Sequence, residues 1–226
     1  DIHRLTVAVP TTGMPTGATE VNTQGTTVEQ VLVRGGGDIR VTAGGNVVGG
    51  HYLVSGGRLD VIADGSLDAS MAFGKSDIAL RARGNLEVRG LLDQNLMPLS
   101  LAQDNISSPE TGRNYGFYDR EADSLTVRSY AGDVVFDPDA TELNPYLRES
   151  ALTTGDSSLF RLLPAQLDAV AFDRDILFRK EIQIEANEDS SLRLYAGSDI
   201  LSKTSGKTLL MSGFAGAMPY RGSSIV

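Results

Sequence analysis

The chain has 226 residues, 41% of them hydrophobic but only 6% aromatic, with 25 Gly and neither Trp nor Cys. That length is enough to bury a sizeable core, and the absent thiols exclude disulfide staples, Cys-ligated zinc and thiol catalysis. A net charge of −9 argues against nucleic acid, whose phosphates need a basic stripe, and against an anionic membrane surface.

From the N-terminus, a strand is expected at Leu5–Val9, followed by a Thr/Gly-rich stretch up to residue 34. A start at Asp1 without initiator Met or signal peptide reads as a piece excised from something longer. Beyond it a phrase begins to repeat: apolar, x, apolar, x, small, then a Gly/Asn/Asp turn and another apolar residue. The first copy is Ile39, Val41, Ala43, the turn Gly44-Gly45-Asn46, then Val47. The second is Leu59, Val61, Ala63, Asp64-Gly65-Ser66, Leu67, and the third Ile78, Leu80, Ala82, Arg83-Gly84-Asn85, Leu86. These copies start 20 and 19 residues apart, the spacing of one coil of a parallel β-helix.

Period-two alternation sends Ile39, Val41 and Ala43 to one face and Arg40 and Thr42 to the other. A five-residue strand cannot bury that face alone, so equivalent residues are expected to stack on one another. The closing Ala lets the chain turn a tight corner, and Asn46, Ser66, Asn85, Asp133, Asp175 and Asp199 are expected to form a polar ladder through turn hydrogen bonds. Looser copies follow at Leu125, Val127, Ser129 and at Leu167, Ala169, Ala171, and a tight one closes at Leu192, Leu194, Ala196. Two polar stretches interrupt the spacing and read as loop excursions, 91–122 and 138–163, the second with a short helix near Tyr146–Leu152. The last residues, 203–226, are Gly/Ser-rich and expected to be weakly structured. No domain boundary is visible, so 1–226 reads as a single segment.

These phrases resemble the C-terminal part of filamentous-haemagglutinin-family exoproteins, TpsA-like products of two-partner secretion. The resembling stretches are Gly36–Gly50, Gly56–Ser66, Asp123–Phe136, Leu163–Ile176 and Ser191–Ile200, together spanning about residues 36–200. The resemblance implies an all-β, right-handed parallel β-helix (solenoid) with long loop insertions, secreted to the bacterial cell surface. It further implies the rest of its own exoprotein chain and an outer-membrane TpsB-type transporter as partners, and a role as shaft or presenting segment in adhesion, biofilm or contact-dependent delivery. It carries over no catalytic residue and no cofactor. A strand is expected where Arg179-Lys180-Glu181 stand.

Parallel β-helices also include polysaccharide lyases and hydrolases, which need carboxylates converging from the outward rows. Rows Arg40, Asp60, Ala79 and Thr42, Ile62, Arg81 collect no acid/base pair, and Asp38, Arg58, Asp77 read as an alternating charge ladder on the surface. Asp133, Asp137 and Asp139 lack the glycine-rich repeat of calcium-binding rolls and read as solvated turns. His3 and His51 lack ligand spacing, the serines lack triad partners, and Gly35-Gly36-Gly37 precedes a strand rather than a phosphate-binding helix. No catalytic or metal residue is assigned.

Arg113, Tyr115, Phe117 and Tyr118 combine aromatics with Arg in a long loop, a pattern that suits contact with a surface glycan or host protein, although a loop clamped against the solenoid by its own aromatics is the favoured reading. The functional expectation is a structural shaft segment, with a loop-borne binding module and a carbohydrate-active enzyme as rivals. An ordinary β-sandwich is the structural rival, and it requires antiparallel pairing of the repeat strands.

Overall fold

A computed structural model describes residues 1–9, 11–21, 27–93, 123–138, 162–180, 182–184, 189–202, 210–211 and 224–225. Among these the chain is all-β, with most strands parallel and no helix. Each repeat phrase forms a strand before its turn and a second strand after it. The first set is β5 (Ile39–Ala43), β7 (Arg58–Ala63), β9 (Asp77–Ala82), β11 (Ser124–Ser129), β14 (Gln166–Ala171), β17 (Ser191–Ala196) and β20 (Ser224–Ile225). They line up side by side in sequence order as a seven-stranded sheet.

The second set is β6 (Val47–Ser55), β8 (Leu67–Gly74), β10 (Leu86–Asp93), β12 (Val134–Phe136), β15 (Ile176–Phe178) and β18 (Ile200–Ser202). With β1 (Ile2–His3) and β2 (Thr6–Val9), both paired to β6, they make an eight-stranded sheet. A short third sheet joins β13 (Leu162–Leu163), β16 (Gln183–Ile184) and β19 (Leu210–Met211). Successive strands therefore alternate between sheets, while strands within each of these sheets run parallel, which excludes the antiparallel pairing of the β-sandwich rival.

Register is what the alternation of apolar residues demands. Ile39, Leu59, Ile78, Leu125, Leu167, Leu192 and Ile225 are successive Cα partners. So are Val41, Val61, Leu80, Val127, Ala169 and Leu194, and so are Ala43, Ala63, Ala82, Ser129, Ala171 and Ala196. A slip of one residue would turn each apolar row out to solvent. Burial follows the alternation, as in β5 and β11, where every second residue is buried. The second sheet adds the row Val47, Leu67, Leu86, Val134, Ile176 and Ile200, and the two sheets share one apolar core. Within it Phe136 stacks on Phe178 with ring centroids 5.1 Å apart.

Several details differ from the sequence expectation. The Thr/Gly-rich N-terminal stretch contains an antiparallel pair, β3 (Thr11–Val21) with β4 (Thr27–Gly35). The Gly35–Gly37 cluster then turns into β5 with φ of 87°, 80° and 148°, and a Cβ at Gly36 would collide with the carbonyl oxygen of Ser55. β10 runs on to Asp93, so Leu91 and Leu92 belong to the core side of the chain rather than to an excursion, and β13 includes residues 162 and 163. The rest of both excursions (94–122 and 139–161), with the helix expected near Tyr146–Leu152, lies outside the described residues. No strand forms at Arg179 and Lys180: β15 stops at Phe178, and both side chains turn to carboxylates instead. Residues 203–226 contribute the two-residue strands β19 and β20.

Candidate functional site

The corner between the first and second sheets repeats in every layer, and it is where the sequence places most chemistry. Its last position carries the expected polar ladder. Oδ1 of Asp1 accepts the N–H of Asn46 at 2.6 Å, and Oδ1 of Asn46 accepts that of Ser66 at 2.8 Å. Farther along, Asn85 accepts from Asp133 at 3.0 Å, Asp133 from Asp175 at 3.2 Å and Asp175 from Asp199 at 2.9 Å. Each bond satisfies a turn N–H that no strand partner reaches. Asn and Asp serve equally, because each bond uses one side-chain oxygen as acceptor.

The first position of the same corner, directly after each first-sheet strand, holds Gly44, Asp64, Arg83, Tyr130, Phe172 and Gly197 in successive layers. Their N–H groups bond back to the layer before, as Tyr130 N–H to Ala82 O and Phe172 N–H to Ser129 O. This repetition brings Tyr130 over Phe172, with ring centroids 5.2 Å apart and planes 9° apart. Yet the pair is not clamped into the core: Tyr130 is 49% and Phe172 41% exposed, and Tyr195 nearby on β17 is 54% exposed. Sequence reading missed this pair; only alignment of the two loosest repeats puts the rings in one column.

The outer faces carry ion pairs. On the first sheet Arg81 meets Asp60 at 3.1 Å and Arg128 meets Asp168 at 3.3 Å. On the second, Arg89 reaches Asp68 at 3.4 Å and Glu87 at 3.6 Å, and Arg179 reaches Glu87 at 3.5 Å and Asp137 at 3.3 Å. Lys180 adds a contact to Asp137 at 3.6 Å. Arg89 sits at the bulge between Val88 and Gly90, which shifts the strand register locally. These carboxylates thus face cations, whereas general acid/base chemistry on a glycoside needs two carboxyl groups facing one bond.

The expected row Asp38, Arg58, Asp77 is wired differently from a chain of charge pairs. Asp38 accepts the backbone N–H of Arg58 at 2.9 Å, and Asp77 accepts from the Ser124 hydroxyl at 2.7 Å. Asp133 is a ladder residue and Asp137 an ion-pair residue, while Asp139 lies outside the described residues. Among the described residues no three His, Asp or Glu side chains gather as a metal-ligand set. His3 is exposed on β1, and His51 pairs with Thr6 across β6 and β2. Arg113, Tyr115, Phe117 and Tyr118 fall within 94–122, outside the described residues.

Known proteins offer no guide here. No family model, no curated protein and no solved structure matches the chain.

Two buried polar groups were not legible in the sequence. Asp123, buried at the entry to β11, accepts the N–H of Ser76, whose hydroxyl in turn lies 3.0 Å from Val54 O and 2.9 Å from Gly74 O. Tyr52 is buried on β6, and its hydroxyl has no hydrogen-bond partner among the described residues. Burial, with the Asp68 carboxylate as a lesser cause, pushes its pKa up from 10.0 to about 12.

Proposed function

We propose that the chain is a shaft segment of a large secreted bacterial surface exoprotein, folded as a right-handed parallel β-helix with long loop insertions. The observation that carries this reading is the translation of one residue set along one direction, from Ile39 to Ile225 in the first sheet. A right hand follows from the twist preference of parallel crossovers. Strand pairing joins each layer to its neighbours, so such a chain gains length by repetition and stability by stacking. Seven strands in the first sheet at about 4.8 Å each span roughly 30 Å.

The work of such a segment is mechanical: it extends a fibre and displays the excursions within 91–122 and 138–163. Ion-paired outer faces and a ladder of turn hydrogen bonds support a structural role over a hydrolytic one. The absence of Cys suits passage through an outer-membrane TpsB-type transporter, since layers can then form one after another without disulfide chemistry. Its partners in this reading are the rest of its own exoprotein and that transporter.

The test uses the natural protein in its producing cells. Surface fractionation and negative-stain microscopy should find it extracellular and rod-shaped, and deletion of 36–202 should shorten the rod by about 30 Å. A cytoplasmic protein, or an unchanged outline after the deletion, would refute the reading.

A further inference from the structure

The column Arg83, Tyr130, Phe172 ends on its outer side at Gly197. One more step of the same stack would place a side chain over the outer face of Phe172. Gly197 supplies none, and none fits there: a Cβ at Gly197 would collide with the carbonyl oxygen of Phe172 and crowd the Cα of Asp173 at 3.1 Å. Among the described residues the backbone therefore leaves the next place in an aromatic stack vacant, while both rings below it stay substantially exposed.

We propose that this vacancy is a subsite for one pyranose ring of an uncharged oligosaccharide. The carbon-bound hydrogens on the flat side of a pyranose carry partial positive charge, and the face of the Phe172 ring carries partial negative charge. The existing spacing of 5.2 Å between Tyr130 and Phe172 is within the range at which stacked rings attract. Asp173 and Arg174 directly follow Phe172, Ser198 directly follows Gly197, and all three are exposed. They supply acceptors and donors for sugar hydroxyls at the rim of an apolar floor, the combination that orients small ligands. Tyr195, two residues before Gly197 in the same layer, is exposed as well. Nucleobases arrive with phosphates that a chain of net charge −9 repels, and anionic sugars would meet Asp173 and Asp199.

The site lies on the described corner and stands independently of the export reading. The test is saturation-transfer NMR and calorimetric titration of the full chain with neutral tetrasaccharides of glucose and N-acetylglucosamine in α and β linkage. At least one should bind saturably at millimolar or lower concentration. Phe172→Ala should weaken it at least ~10-fold, as expected for loss of one stacking partner, and Phe172→Tyr should stay within about threefold. Phe172→Leu keeps an apolar side chain without a π face and serves if the Ala variant fails to fold; it should show the same loss. Lack of saturable binding across the panel overturns the proposal. So does equal affinity in a folded Ala or Leu variant, or capture of a basic peptide in place of every sugar.

Discussion

Oδ1 of Asn85 accepts the backbone N–H of Asp133 at 3.0 Å although 48 residues separate them in the chain. The excursion after β10 is thus an interruption of the sequence and not of the stack: β9 pairs with β11 as closely in register as β7 pairs with β9. Asn85→Ala removes that acceptor and leaves a turn N–H unpaired. It should lower unfolding free energy by about 1 kcal/mol, read from the midpoint of a urea titration at constant slope.

Charge in the ladder is separable from its hydrogen bonding. Asp133, Asp175 and Asp199 stand in consecutive layers, where like charges repel by about 1 kcal/mol or less in water. Asp175→Asn keeps the acceptor and should therefore stabilise the protein by a few tenths of a kcal/mol, an effect that shrinks as salt rises.

Equivalent residues should not be equally costly to truncate. Ile176 and Ile200 are Cα partners in one row, yet Ile176 is 0% and Ile200 49% exposed, because among the described residues β18 has a strand neighbour on one side only. Ile176→Ala should cost about 2–5 kcal/mol and Ile200→Ala under about 1 kcal/mol. Denaturant titration of the two variants compares them directly.

Much of this architecture was readable from residues alone, for physical reasons. Ile39, Leu59 and Ile78 lie in register because period-two alternation, a closing Ala and a turn residue together leave only one pairing that buries the apolar rows. The β3–β4 pair was not legible, since a Thr/Gly-rich stretch has too little apolar alternation to announce a hairpin. Arg179 and Lys180 break the strand expected there because their charges find Asp137 one layer away and, for Arg179, Glu87 two layers away, a long-range fact. Tyr130 and Phe172 stand 42 positions apart in the sequence, so their stacking appears only once the layers are superposed.

Tyr52 makes the protein sensitive to alkali. Its folded pKa of about 12 exceeds the ordinary 10.0, so the unfolded chain loses this proton first. Stability from this group is whole below pH 10 and falls as pH rises toward 12, by about 2–3 kcal/mol in all. Tyr52→Phe should flatten that fall. At neutral pH it should be neutral or slightly stabilising, because it deletes a buried hydroxyl without a partner among the described residues. Thermal unfolding of both proteins between pH 8 and 12 provides the check.

Register across the excursion is tested most directly by oxidising engineered cysteine pairs in a chain that has none of its own. Ala79 and Thr126 are Cα partners on adjacent parallel strands, at a spacing of about 4.8 Å that a disulfide spans without strain. The Ala79→Cys, Thr126→Cys variant should cross-link rapidly and gain stability, whereas Ala79→Cys with Arg128→Cys, two residues out of step, should stay largely reduced. Preferential closure of the out-of-step pair would contradict the in-register stacking of this chain.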